Sequence, residues 1–151
     1  MNSVKPILQA LLVADHVYTD QATKKFIVAG IFNQVNFHQP ADQQQAPAPT
    51  EDQRIPLKHV QKVGSPYAYI NLIDVRQRTE LSLRYVDLDE HTPLMEAQIT
   101  VNAVDDPLLP VQISLPLPPL PVPHAGVYSL DLLIGDDLLG SCRITAVKLG
   151  D

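Results

Sequence analysis

The stretch LPLPPLPVPHAGVYSL, residues 115–130, limits the folds open to this chain more than any other. Five of the nine residues from 115 to 123, here called the proline segment, are prolines. A proline nitrogen carries no hydrogen to donate to a strand ladder, so a central strand cannot continue through this segment. The fixed φ angle of proline favours extended chain instead. We therefore predict a stiff crossover that ends one strand and directs the chain into the next.

The same segment has an alternative interpretation as a docking peptide. Pro116-x-x-Pro119 and Pro118-x-x-Pro121 match the spacing of ligands for SH3-type domains. However, no arginine or lysine lies within the segment, and an alternating apolar pattern follows it at once. These features favour the structural crossover.

Four other segments alternate apolar and polar residues with the period of a β-strand. Their apolar positions are Leu81, Leu83 and Tyr85; Ala97, Ile99, Val101 and Ala103; Val111, Ile113, Leu115 and Leu117; and Cys142, Ile144 and Ala146. This alternation is typical of half-buried strands that keep one face in water.

Further strands are predicted at Leu8–Val17, Phe26–Phe37 and Ala68–Val75, and directly after the proline segment. Clusters of Asp, Gly and Pro, which favour turns, separate the strands. About eight strands without a long amphipathic helix predict an all-β fold. We expect an antiparallel immunoglobulin-like β-sandwich that forms a single domain over residues 1–151.

The residues after the proline segment match a motif of immunoglobulin-like sandwiches. Gly126, Tyr128 and Leu130 have the spacing of the tyrosine corner, in which a tyrosine hydroxyl bonds to backbone a few residues upstream. Leu130 stands where those domains carry a disulfide cysteine, and His124 replaces the usual aspartate.

Residues 38–54, HQPADQQQAPAPTEDQR, contain no large apolar side chain. Such a segment cannot bury enough surface to offset the entropy of ordering it. A mobile loop is therefore predicted at about residues 38–56. It is either a tolerated surface insertion or a binding flap, and the sequence does not separate the two.

Three stretches together resemble a known family: LLVADHVYTDQATKKFIVAGIFNQV, AYINLIDVRQRTELSLRYVDLDE and LPPLPVPHAGVYSLDLLIGDDLLGS. They are similar to an uncharacterised bacterial family, a domain of unknown function with a β-sandwich fold. The resemblance rests on the combined spacing of Asp15-His16, Asp20, Gly30-Ile31-Phe32 and Gly126-x-Tyr128. It implies the fold, but no activity, cofactor or catalytic residue. The chain departs from the family in lacking a glycine between Thr23 and Lys24.

Charge and apolar content exclude several classes of protein. The net charge of −6 argues against a protein that binds nucleic acid by neutralising phosphates, and against attraction to anionic membranes. No segment approaches the roughly 20 consecutive apolar residues that span a bilayer. Cys142 is the only cysteine, so neither an internal disulfide nor a thiolate metal cluster is possible. We interpret it as a small core residue of a protein in the reducing cytoplasm.

Sequence motifs for catalysis are missing. The chain has no Gly-x-Ser-x-Gly elbow, no phosphate-binding Gly-rich loop and no His-Glu-x-x-His motif. No catalytic residue, cofactor or metal ligand is therefore assigned from the sequence.

If successive strands run in opposite directions, the polar loops that join them lie at the two ends of the sandwich. Each end then offers candidate ligands for a metal site. A calcium site would draw on carboxylates predicted at one end; these are Asp20, Asp74, Asp105, Asp106, Asp136 and Asp137. Lys24, Arg76 and Arg78 would crowd that end and oppose binding. A zinc or iron site would draw on the other end; its residues are Asp89, Glu90, His91 and His124, with His38 and His59 on the loop.

Asp15-His16 ends an otherwise apolar run and has two interpretations. An aspartate at a strand end often bonds backbone amides of the following turn, which is a structural role. Alternatively, a carboxylate–histidine pair acts as a general base. The structural interpretation is favoured.

The sequence thus predicts a non-catalytic β-sandwich that serves as an interaction or accessory module. Its partner would be another protein or a second copy of the chain, with no nucleic acid and no membrane involved. Two alternatives remain: a metal-binding sensor or enzyme that uses calcium or a His/carboxylate site, and a structural subunit of a larger assembly.

Overall fold

Two β-sheets pack face to face in the computed structural model, which describes residues 4–38 and 61–150. Every regular element in these residues is a strand. The strands are β1 (Ile7–Thr19), β2 (Phe26–Ile31), β3 (Gln34–Phe37), β4 (Gln61–Val63), β5 (Tyr67–Ile73), β6 (Thr79–Asp87), β7 (Thr92–Val101), β8 (Val111–Pro116), β9 (Leu120–Val122), β10 (Gly126–Ile134) and β11 (Asp137–Lys148). The predicted all-β sandwich is confirmed. The predicted loop at 38–56 lies outside the described residues except for residue 38.

One sheet has four strands in the order β2-β1-β5-β8, and the other has five in the order β3-β11-β10-β6-β7. β4 and β9 form a separate two-stranded ladder. All described pairs are antiparallel except β3 with β11, which is parallel. The five-stranded sheet therefore ends in a short strand, β3, that is parallel to its neighbour, whereas a fully antiparallel sandwich was predicted.

The core lies between the four-stranded and five-stranded sheets and follows the predicted alternation. Leu81, Leu83 and Tyr85 of β6 are at most 1% exposed. They pack with Ile70 and Leu72 of β5, which are fully buried. Burial of each such side chain contributes about 1.5–3 kcal/mol, so this layer supplies the main stabilisation of the fold.

Strand structure is found over most of Phe26–Phe37, but the prediction of one continuous strand is wrong, because the chain changes sheets within it. Phe32 still donates its amide to Val13 O at 3.1 Å, whereas Asn33 O already accepts the amide of Thr145 at 2.9 Å. β2 thus belongs to the four-stranded sheet and β3 to the five-stranded sheet. Alternation shows which residues face inward but not which sheet they join. This split and the two short strands β4 and β9 account for the eleven strands found in residues 4–38 and 61–150, rather than about eight.

The proline segment connects the two sheets, as predicted. β8 ends at Pro116 in the four-stranded sheet, and β10 begins at Gly126 in the five-stranded sheet. Between them, Leu120 and Val122 are each 1% exposed and belong to the main core. The prolines keep the chain extended while the residues between them fill the core.

The predicted tyrosine-corner hydrogen bond is present. Tyr128 Oη donates to His124 O at 2.6 Å and accepts the amide of His124 at 3.3 Å. The Tyr128 ring is fully buried and stacks on Tyr85, with centroids 5.4 Å apart. Tyr85 Oη in turn donates to Pro121 O at 3.1 Å. These contacts attach the end of the proline segment to both β6 and β10.

The turn between β1 and β2 manages without the glycine that the family resemblance implies. Asp20 Oδ1 accepts the amides of Ala22 and Thr23 at 2.9 and 2.7 Å. These bonds to Thr23 and Ala22 lower the pKa of Asp20. Lys24 adopts a φ of +60°, a conformation that glycine enters without steric penalty.

β1 and β5 are apolar on both faces. Leu11 and Val13 of β1 point into the main core, whereas Leu12 and Ala14 belong to a second apolar cluster. Tyr69 of β5 joins that cluster and contacts the Phe26 ring, with centroids 5.8 Å apart. These central strands therefore bury side chains on both sides of the four-stranded sheet.

Among the described residues, no helix has the length and apolar character needed to cross a membrane.

The buried proline segment predicts a clear contrast between two leucines. Replacing Leu120 with alanine should lower the free energy of unfolding by about 2–5 kcal/mol, because it leaves a cavity in the core. Leu108→Ala is the control, since Leu108 is 84% exposed and should change stability by no more than about 0.5 kcal/mol. Urea unfolding measures both values. Equal effects would mean that the segment does not support the core.

The positive φ of Lys24 predicts a stabilising glycine. Lys24→Gly should raise the free energy of unfolding by up to about 1 kcal/mol, because relief of the left-handed strain exceeds the added chain entropy of glycine. Lys25→Gly, next in the chain without a positive φ, should instead destabilise by about 0.5–1 kcal/mol. Thermal unfolding of the two variants tests this opposite sign.

Candidate functional site

Strand directions decide which loops share an end of the sandwich. Ile7 pairs with Ile73, so Asp74 lies beside the start of β1, whereas Asp20 follows the end of β1. Asp20 and Asp74 therefore lie at opposite ends. The predicted gathering of Asp20 with the other five aspartates is wrong, because β1 turns into β2 at the end away from Asp74.

Three of the remaining carboxylates serve turns or ion pairs: Asp74, Asp106 and Asp137. Asp74 forms an ion pair with Arg76, with Oδ1 2.5 Å from Nε, and donates its amide to Pro107 O. Asp106 Oδ1 accepts the amide of Leu108 at 3.0 Å. Within residues 4–38 and 61–150, no three of these aspartates bring their oxygens within 4.8 Å of one another.

At the other end, Asp87, Asp89 and His124 converge; we call them the Asp–His cluster. One ligand atom from each lies within 4.8 Å of the others. His124 Nε2 is 2.5 Å from Asp87 Oδ2. Asp87 is 1% exposed, Asp89 is exposed and His124 is intermediate. The cluster thus runs from the buried end of β6 outward to solvent.

The β6–β7 turn fixes both carboxylates. Asp87 ends β6, and its Oδ1 accepts the amides of Asp89 and Glu90 at 3.0 and 3.2 Å. This turn leaves Oδ2 directed at His124. Asp89 lies directly over Gly126, where a β-carbon would collide with the Asp89 carboxylate. Glycine at the start of β10 therefore allows Asp89 to enter the cluster.

His124 is held at both ring nitrogens. Nδ1 is 2.8 Å from Ala125 O, and Nε2 faces Asp87, so each nitrogen meets an acceptor. The bond to Ala125 O raises the pKa of His124; burial opposes this, and the bond to Asp87 and the charges of Asp87 and Asp89 add to it. Together these acceptors and charges favour the protonated form of the His124 ring over the neutral form.

The zinc or iron set predicted from the sequence is only partly brought together. Asp89 and His124 converge, but Glu90, His91 and His38 are not part of the cluster. His91 has a φ of +53° in the turn. His59 lies outside the described residues.

Asp87 was missed by the sequence analysis, although the sequence carries a signal for it. Period two along β6 places Leu83, Tyr85 and Asp87 on the same, inward face. A carboxylate on a core face requires a partner, because burial of an unpaired charge is unfavourable. That argument predicts a paired Asp87, but it does not identify His124, which is 37 residues away.

A second feature is a groove beside β3, which we call the β3 groove. It has a volume of about 550 Å³. The described residues that line it are Asp15, His16, Phe32, Gln34, Val35, Asn36, Gly64, Ser65 and Pro66. It lies where the chain crosses from β2 to β3, opposite the segment that links β4 to β5.

Asp15 and His16 both line this groove but do not form the predicted structural cap or catalytic pair. β1 continues to Thr19, so Asp15 is not at a strand end. Successive strand residues face opposite sides of a sheet, and no hydrogen bond joins the two side chains within the described structure. Asp15 instead lies over Gly30, where a β-carbon would come within 2.5 Å of its Oδ2. Gly30, with a φ of +75°, permits this contact.

The free edge of β3 faces away from β11. Asn33 O and Phe37 O accept amides of β11, which places the odd-numbered residues of this strand toward β11. The N–H and C=O groups of Gln34 and Asn36 therefore point to the opposite edge. Among the residues that the structure describes, β3 is the end strand of its sheet, and no described strand pairs with these groups.

In comparisons with known proteins, the sequence matches no family model and no curated protein. Membership of the uncharacterised bacterial family stays a prediction.

The raised pKa of His124 predicts a pH-dependent stability. The imidazolium stabilises the folded state below the ordinary histidine pKa of 6.5, and this contribution is lost as the pH rises through the raised folded pKa. In EDTA, the free energy of unfolding should therefore fall from pH 6 towards higher pH. His124→Gln should flatten the fall, and exposed His91→Gln should retain it. A fall of equal size in His124→Gln would contradict the assignment. Urea unfolding at several pH values measures it.

Proposed function

We propose that the protein is a non-catalytic interaction module that binds an extended segment of a partner protein in the β3 groove. The partner segment adds a strand to the free edge of β3. The observation that carries this proposal is the pair of outward-facing backbone units, Gln34 and Asn36, along the wall of a groove of about 550 Å³. Strand addition uses main-chain hydrogen bonds for affinity and neighbouring side chains for specificity.

The chemistry of the groove fits a peptide better than an apolar ligand. The side chains of Gln34, Asn36 and Ser65 offer amide and hydroxyl groups, and Asp15 adds a carboxylate. Gln34 Nε2 already donates to Asn36 Oδ1 at 3.0 Å, which orders this wall before a partner arrives. Pre-ordered groups reduce the entropy that binding must offset.

The absence of a catalytic role is part of the proposal. Asp15 and His16 do not bond to each other, and the ring nitrogens of His124 both face acceptors rather than a hydroxyl or thiol nucleophile. Burial raises the pKa of the Cys142 thiol, with a backbone bond to Val13 opposing it, which disfavours the reactive thiolate. A single unreactive thiol also suits the proposed location in the reducing cytoplasm.

We infer an immunoglobulin-like topology for the sandwich. The order β11-β10-β6-β7 corresponds to G-F-C-C′ of that fold, and β1-β5-β8 corresponds to the opposing A-B-E strands. Tyr128 of β10 stands at the tyrosine-corner position of strand F, which supports this assignment. Membership of the bacterial family belongs to the same proposal.

Selection of random peptides displayed on phage tests the binding site. Enriched peptides should protect the amides of Gln34 and Asn36 from hydrogen exchange, because a new strand accepts from them. The amides of Val35 and Phe37 already face β11 and should change little. Protection confined to other residues would contradict binding at β3.

A matched pair of variants separates backbone pairing from side-chain contact. Asn36→Pro removes the outward N–H, whereas Asn36→Ala loses the same side-chain bond and keeps that N–H. Peptide affinity should fall by about tenfold in Asn36→Pro relative to Asn36→Ala, as expected for the loss of one ladder bond. Equal affinities would exclude strand addition. Mass measurement in solution identifies a second copy of the chain as the partner if the wild type dimerises and Asn36→Pro does not.

A further inference from the structure

We propose that Asp87, Asp89 and His124 bind one divalent transition-metal ion, with Zn²⁺ as the preferred ion. This site is independent of the proposed peptide binding. It draws on one imidazole nitrogen and two carboxylates whose ligand atoms already lie within 4.8 Å of one another. Imidazole and carboxylate are both ordinary ligands of Zn²⁺.

The histidine is oriented as metal-binding histidines are. Such residues bind the ion through one ring nitrogen and donate the other N–H to a carbonyl or carboxylate. In His124, Nδ1 is 2.8 Å from Ala125 O, which leaves Nε2 directed at Asp87. The two bonds between Tyr128 Oη and the His124 backbone hold the residue in place.

The buried carboxylate has one oxygen committed to the fold and one available. Asp87 Oδ1 accepts two backbone amides of the turn, while Oδ2 faces His124 Nε2. A bound ion takes the place of the proton between Nε2 and Oδ2. The ion carries two positive charges, whereas the proton carries one. It lies beside the carboxylate of Asp87, which is 1% exposed, and that of Asp89, which is exposed.

The third ligand depends on a position without a side chain. Asp89 lies over Gly126, and a β-carbon there would displace the carboxylate. Gly126 therefore makes room for Asp89 to reach the ion. Asp89 also leaves the cluster open to solvent, so water completes the coordination.

The donor set favours Zn²⁺ over Ca²⁺ or Mg²⁺. Calcium takes six to eight oxygen ligands and magnesium prefers an oxygen octahedron, whereas this site offers three protein ligands, one of them nitrogen. Three protein ligands with an open position are common for zinc.

Calorimetric titration of EDTA-stripped, then dialysed protein with ZnCl₂ tests the proposal. We expect saturable binding of one ion per chain and a rise in the thermal midpoint, because an ion bound only to the folded state stabilises it. CaCl₂ should produce neither effect. No heat and no stabilisation with Zn²⁺ would overturn the proposal, as would several weak sites per chain.

Two carboxylates of the same turn provide the matched variants. Asp89→Asn should weaken Zn²⁺ binding by at least about tenfold, whereas Glu90→Gln, which alters an exposed neighbour outside the cluster, should leave it unchanged. Gly126→Ala should weaken binding as Asp89→Asn does. Undiminished affinity in Asp89→Asn would overturn the proposal.

Nitrogen NMR of the imidazole reports on the ligand directly and does not depend on the stability of a variant. Zn²⁺ should shift Nε2 of His124 to the value of a metal-bound nitrogen and leave Nδ1 protonated. Both nitrogens remaining protonated at saturating Zn²⁺ would assign the binding to another place and exclude this site. Peptide binding at β3 should be unchanged in Asp89→Asn, so the failure of one proposal is distinguishable from the failure of the other.

Discussion

The packing of apolar side chains between the four-stranded and the five-stranded sheet is the interaction on which the rest of the structure depends. Neither sheet can bury its inward face alone. A single strand from either sheet makes too few local contacts to be stable in water. The chain passes repeatedly from one sheet to the other. At each crossing the backbone leaves a strand ladder, and its N–H and C=O groups need other hydrogen-bond partners. The proline segment reduces this need, because five of its residues are prolines and have no backbone N–H.

Both candidate sites include residues at such a crossing, and polar groups collect there. The β3 groove lies where Phe32 and Asn33 leave one sheet for the other, and the Asp–His cluster lies where His124 leads from the proline segment into β10. At the crossings the chain leaves one ladder for another, and the β6–β7 turn adds the two carboxylates of the Asp–His cluster. The core beneath keeps them in fixed positions. The fold thus supplies rigidity to the places where regular pairing ends.

The sequence predicts the layers well because alternation depends on local chemistry. It identified Leu81, Leu83 and Tyr85 as one face, and it identified the prolines as a crossover with a tyrosine corner behind it. It failed where the answer depends on distant pairing. The sheet change before Gln34 requires knowledge of β11, and the partnership of Asp87 with His124 requires the pairing of β6 with β10. Asp15-His16 was misjudged because the end of β1 is set by its pairing with β2, four residues further on.

The shortness of β3 has a consequence for how the protein behaves at high concentration. An open sheet edge is a template for uncontrolled pairing between molecules, and long flat edges lead to fibrous aggregates. β3 has four residues, of which only Gln34 and Asn36 present their amides and carbonyls outward. A stretch of this length offers few outward backbone groups, which disfavours the uncontrolled pairing that long edges promote. Because β3 is short, each partner strand binds weakly, and the edge becomes available again when that strand dissociates.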